Sequence, residues 1–163
     1  MTVAASGKYA LRLDDVRNLI AESAAFQTWT GTANTAAAKL RTHLGWYTTP
    51  ATYPLALVDH IGHEAEKDAS GGVFDVPDYR IYVLFETQAP TASVDNYSDE
   101  INSFLNTISS IEDQFLSALN DGSGRPSIEG FSGPEFGWPD RDRRQSGERL
   151  YSAEYEFILR GHT

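Results

Sequence analysis

From Ser98 to Asn120 apolar residues recur at steps of three and four: Ile101, Phe104, Leu105, Ile108, Ile111, Phe115, Leu116 and Leu119. That spacing gathers them into one stripe along a helix. Asn102, Ser103, Asn106, Ser109, Asp113 and Ser117 fall on the opposite side. Ser98 is a suitable N-cap, Asp99 and Glu100 then sit in the first turn, where the helix dipole favours acids, and Asn120-Asp121-Gly122 supplies a stop. The polar side is rich in Ser and Asn, which are poor helix formers. The helix therefore depends on what its stripe covers, and segments of strand period lie on both sides of it in the chain.

The clearest is Asp78–Gln88, where Tyr79, Ile81, Val83 and Phe85 alternate with Arg80, Tyr82, Leu84 and Glu86. Arg149–Arg160 repeats the pattern, with Tyr151, Ala153, Tyr155, Phe157 and Leu159 on one face and Ser152, Glu154, Glu156 and Ile158 on the other. Tyr53–Ile61 is apolar on both faces through Leu55, Leu57 and Val58, as in a covered strand, with Pro54 limiting hydrogen bonding at its start. It is expected to pair antiparallel with Asp78–Gln88 across a long connection. A short strand is expected over Ser127–Phe131.

Ahead of these, Leu13–Phe26 reads as a helix with Leu13, Val16, Leu19, Ile20 and Phe26 in its stripe and Asp14 and Asp15 in its opening turn. Thr28–Thr32 breaks the pattern. Thr35–Leu44 reads as a second, short helix with Gly45 just past its end, and Trp46 and Tyr47 open an extended connector. The order α-β-β-α-β-β predicts one α+β domain over residues 1–163: a mostly antiparallel sheet of about four strands under the long helix and a shorter N-terminal one.

One stretch has no period. Residues 132–148 hold Gly133-Pro134, Gly137, Pro139 and Gly147, which read as an extended loop. Disordered segments are poor in aromatics, yet this one carries Phe136 and Trp138, then Arg141, Arg143 and Arg144 among acids. Trp and Arg are favoured anchors of protein interfaces. Balanced, alternating charge suits a charged protein neighbour better than DNA. Phe136, Trp138, Arg141, Arg143 and Arg144 are thus the candidate contact residues for a neighbouring subunit. The competing reading is a loop folded back on its own domain.

Composition narrows the function classes. The 163 residues include no Cys, which excludes disulfides, thiolate catalysis and Cys-ligated metals, and fits a reducing cytoplasm. A formal charge of −10 argues against general affinity for nucleic acid. Only Lys8, Lys39 and Lys67 are lysines, a bias that suits a GC-rich or salt-loving host. No run of eighteen apolar residues spans a membrane, and Met1–Ala10 has no apolar block of a signal peptide.

Catalytic patterns are missing. On a strand His60 and His63 point to opposite faces, which is wrong for sharing a metal. His43 falls in the last turn of the expected short helix, and His162 has no candidate partner nearby in sequence. Ser70-Gly71-Gly72 precedes a strand and Gly122-Ser123-Gly124-Arg125 follows a helix, so neither has the strand–glycine–helix order of a phosphate loop. No catalytic, cofactor-binding or metal-ligating residue is assigned, and a non-enzymatic role is expected.

The order of elements resembles the tail terminator, or tail-completion, proteins of long-tailed viruses and related head-to-tail joining proteins. The segments DDVRNLIAES, RIYVLFET, SDEINSFLNTI and RLYSAEYEFILR carry the resemblance. It implies a ring, commonly a hexamer, that caps the finished tail tube and docks to the neck, with DNA passing through its channel. Its partners would be further copies of itself, the tail-tube protein and a neck or stopper protein. No catalytic residues carry over. Another neck component, and a small-ligand binding domain or enzyme with a sheet-lined pocket, are the alternatives.

Overall fold

The computed structural model describes residues 3–45, 51–64, 78–88, 97–120, 128–139 and 150–160. Three helices come first: α1 (Lys8–Glu22), α2 (Ala24–Thr30) and α3 (Thr35–Lys39). Strands β1 (Thr42–Leu44), β2 (Leu55–Glu64) and β3 (Asp78–Gln88) follow, then α4 (Tyr97–Asn120), β4 (Ile128–Gly137) and β5 (Leu150–Arg160). The strands form one sheet in the order β1-β2-β3-β5-β4. β1 runs parallel to β2, and the other neighbours are antiparallel. This is an α+β fold.

Register decides which side chains reach the core. Ile81 stands opposite Phe157, Val83 opposite Tyr155, and Phe85 between Ala56 and Ala153. All six are buried. On the same face Phe131 lies opposite Phe157 and Phe136 opposite Ala153. α4 lays Phe104, Ile108, Ile111 and Phe115 onto this face, and α1 adds Val16, Leu19 and Ile20. The result is a chain of aromatic contacts: Phe115 lies 5.5 Å from Phe157 and 6.1 Å from Phe85, and Phe104 lies 5.6 Å from Tyr151. Two tyrosines of β5 also bond to α4: Tyr151 donates to Glu100 at 3.0 Å and Tyr155 to Glu112 at 2.6 Å.

Several expectations change. The first helix starts at Lys8, since Ala10, Leu11 and Arg12 are good helix formers that carry no buried stripe. It stops at Ser23, which turns extended and caps α2 by accepting a bond from the Phe26 amide at 3.2 Å. Asp14 and Asp15 are therefore mid-helix: Asp15 pairs with Arg12 at 2.7 Å and Asp14 with Lys39 at 3.9 Å. The α1–α2 corner is latched to α4 by Gln114, whose side-chain carbonyl accepts from the Ser23 hydroxyl at 2.5 Å and the Ala25 amide at 3.2 Å.

Thr35–Leu44 is not one helix. It ends at Lys39, and Thr42–Leu44 becomes a fifth strand because β2 offers it a ladder: the Ala56 amide donates to the Arg41 carbonyl at 2.8 Å. Gly45 does take a positive φ of 72°, but after a strand, where its amide donates to the Val58 carbonyl at 2.8 Å. Ser98 lies inside α4, since the helix begins at Tyr97. Leu116 leaves the stripe at 44 % exposure, because it sits about 100° around the helix from buried Phe115. Residues 132–137 are not loop: they are the second half of β4, paired with β5 around an irregularity between Ser132 and Glu135.

Candidate interaction surface

Among the described residues, helices cover one face of the sheet, and its other face and two edges are the surfaces left for a partner. At the β4 edge, Phe136 and Trp138 stack with ring centroids 5.5 Å apart and planes 20° from parallel. Trp138 also meets Phe104 at 6.5 Å and Tyr151 at 6.0 Å. Both candidate aromatics therefore rest on the chain's own core, as the folded-back reading expects. Trp138 is nonetheless 46 % exposed, a ring seated on one side and open on the other. Arg141, Arg143 and Arg144 lie outside the described residues, as do Trp46, Tyr47 and His162.

Beside this cluster lies an open cleft of about 410 Å³, walled by Trp29, Phe104 and Tyr151 and rimmed by Gln88, Asp99 and Glu100. Within it, the Tyr151 hydroxyl donates to the Glu100 carboxylate at 3.0 Å.

The far face of the sheet is acidic toward β4. Glu135 stands directly opposite Glu154, and Glu86 lies one strand further in. Like charges facing across a ladder destabilise it. Tyr82 shares this face: burial first, then the Glu154 carboxylate that its hydroxyl bonds to, then Glu86 and Glu135, push its pKa up to about 12. On the core side, burial and the bond to Glu112 push Tyr155 up as well. A raised folded pKa means that the folded chain holds these protons more tightly than the unfolded one, whose tyrosines titrate near 10. Stability is thus expected to be intact below about pH 10 and to fall as pH rises toward 12. Denaturation midpoints measured across that window check this, and Tyr82→Phe should flatten the lower part of the decline.

The β1 edge has the opposite sign. Arg17, Lys39, Arg41 and His43 gather there. Arg17 donates to the Lys39 carbonyl at 2.7 Å, and Arg41 to the carbonyls of Thr52 at 2.9 Å and Pro54 at 3.2 Å. Among the described residues neither guanidinium meets a carboxylate. Burial, then Arg17, then Arg41, push the His43 pKa below its ordinary value. Beside these cations, Leu40 is 76 % and Leu44 42 % exposed. Sequence reasoning missed this surface because Leu40 and Leu44 fit the apolar positions of a helix, and three residues are too short to declare a strand period.

His60 donates from Nε2 to the Tyr9 carbonyl, 3.2 Å away, and packs edge-on against Tyr9 and Tyr79. The strand is irregular between His60 and Gly62, which sets His63 opposite Tyr79 two positions from the Ile81 that faces His60. The irregularity removes the strict alternation on which the opposite-face expectation rested. Among the described residues, no three His, Cys, Asp or Glu are grouped to hold a metal ion, and no helix is long and apolar enough to cross a membrane.

No protein-family model matches this chain, and no curated protein matches it. Among solved structures, it is similar to a chain of a "Virion of native gene transfer agent (GTA) particle", at 12% identity and a TM-score of 0.37 over 86% of this chain and 94% of that one.

Proposed function

We propose that this chain is a structural virion protein, a tail terminator whose copies join head to tail into a ring. In this reading the ring, commonly a hexamer, caps the tail tube, meets the neck and lets DNA pass through its channel. It assembles in the host cytoplasm, and the chain performs no catalysis. One observation carries the reading: the two sheet edges are unlike, and each displays large exposed apolar side chains, Leu40 and Leu44 at β1 and Trp138 beside β4. Unlike surfaces that contact each other repeat by rotation, and rotation that closes gives a ring. Among the described residues no strand pairs with the outer side of β1 or β4, and such edges invite a neighbour. The sequence resemblance of the β3, α4 and β5 segments supports the same reading.

Light scattering and electron microscopy of the purified protein, alone and with tail tubes, test it. Rings alone or on tube ends are expected; a monomer that binds no tube overturns it. Trp138→Ala is expected to weaken assembly severalfold while the monomer stays folded, at a cost of about 1 kcal/mol for the lost ring contacts. Unfolding of the isolated chain by this substitution would make Trp138 a core residue instead. A small-ligand binding domain is the second reading, favoured by the aromatic cleft of about 410 Å³; it requires a monomer whose cleft is protected on ligand addition.

A further inference from the structure

We propose that the β1 edge of one copy docks on the β4 edge of the next, with Arg41 facing Glu135 and with Leu40 meeting Trp138. This rests on the ring reading above and names the surfaces that would build it. The two edges complement each other in charge. Arg17 and Arg41 spend their hydrogen bonds on backbone carbonyls, which leave their charge uncancelled. At the other end Glu135 and Glu154 face each other across the ladder. Among the described residues, each edge carries an excess of one sign, and bringing the two together relieves both.

Strand direction agrees. From β1 to β4 the strands run up, up, down, up, down, so a β4 set beside the next copy's β1 lies antiparallel to it. A continuous backbone ladder is not what joins them. β1 has three residues, and β4 carries Pro134, which has no amide hydrogen, within an irregular stretch between Ser132 and Glu135. Side chains must carry the contact, and the exposed pair Leu40 and Trp138 supplies the apolar part at 76 % and 46 % exposure.

Charge reversal tests the pairing in the full chain. Arg41→Glu and Glu135→Arg should each weaken self-association on the order of tenfold or more, since each sets like charges face to face. The Arg41→Glu/Glu135→Arg chain should recover it, and so should an equal mixture of the two single variants, which can assemble only by alternating. Raising salt should loosen the wild type, because exposed charges are screened beyond about 8 Å at 0.15 M. A second measurement uses the absence of Cys. Within one copy the two edges are four strand spacings, roughly 19 Å, apart, far beyond disulfide reach. Mild oxidation of Leu40→Cys/Trp138→Cys should therefore give a ladder of linked copies ending in a closed ring, whereas each single variant gives none beyond a dimer. If the wild type assembles while the reversed variants assemble equally well and the double-cysteine chain makes no ladder, this docking is wrong and the ring reading stands. A wild type that stays monomeric with and without tubes overturns both.

Discussion

Phe115→Ala is expected to lower the unfolding free energy by about 3–5 kcal/mol. The ring is fully buried and touches four others: Phe85 at 6.1 Å, Phe131 at 6.2 Å, Tyr155 at 6.5 Å and Phe157 at 5.5 Å. Those four belong to β3, β4 and β5, so the cavity would open where the helix locks three strands at once. Large rigid neighbours cannot collapse into it, which places the cost at the upper end of such truncations. Against a total of roughly 5–15 kcal/mol for a domain, that leaves little reserve. A urea titration reads it as a shifted midpoint with an unchanged slope. Leu116→Ala is the control one residue away: Leu116 is 44 % exposed, and the change should cost under about 1 kcal/mol. Equal losses at both positions would put the helix in the wrong rotation.

Gly133→Ala should cost about 3 kcal/mol or more, from two sources that act together. Gly133 has a φ of 120°, where side-chain-bearing residues are strained. An added Cβ would also lie 2.7 Å from the Glu154 carbonyl oxygen and 3.1 Å from Cδ1 of Tyr155. The carbonyl is backbone of a central strand and cannot yield without parting β4 from β5. Gly137→Ala makes the contrast. Its Cβ falls on the Ser152 hydroxyl, the end of a side chain that can rotate, so its cost should stay under about 1 kcal/mol. Thermal melts of the two variants side by side decide this, and a Gly133→Ala chain as stable as wild type would mean that β4 does not take this path.

Both predictions rest on parts of the chain with unequal legibility. Asp78–Gln88 announced its strand and its inward face, because strict alternation has one structural solution, and α4 showed four of its buried positions through the same kind of repeat. The first half of β4 was legible as a short strand, but its second half hid because Gly133-Pro134 reads as a break when taken locally. Partnership with β5 overrides that reading by accommodating the pair in an irregular register. β1 hid for a related reason: Thr42-His43-Leu44 is a strand only because β2 lies beside it, and no local propensity reports a neighbour. Of the candidate contact residues, Trp138 was legible as an aromatic in an odd place, but its seat on Phe104 and Tyr151 needed the fold. The cationic counterpart around Arg17 and Arg41 was illegible in principle, since 24 positions of chain separate them and only the packing of α1 beside β1 brings them together.

The sheet order has a consequence for biosynthesis. β5 is made after every other strand and yet lies between β3 and β4, carrying five buried residues into the core. As the polypeptide leaves the ribosome, β2 and β3 can pair early, but β4 waits without a partner until β5 emerges. The nascent chain therefore holds an unzipped sheet from the completion of β3 until β5 emerges, and removing β5 would abolish the fold rather than trim it. A cell that makes this protein quickly and in many copies would meet that exposed intermediate at high concentration, where holding chaperones have the most to do.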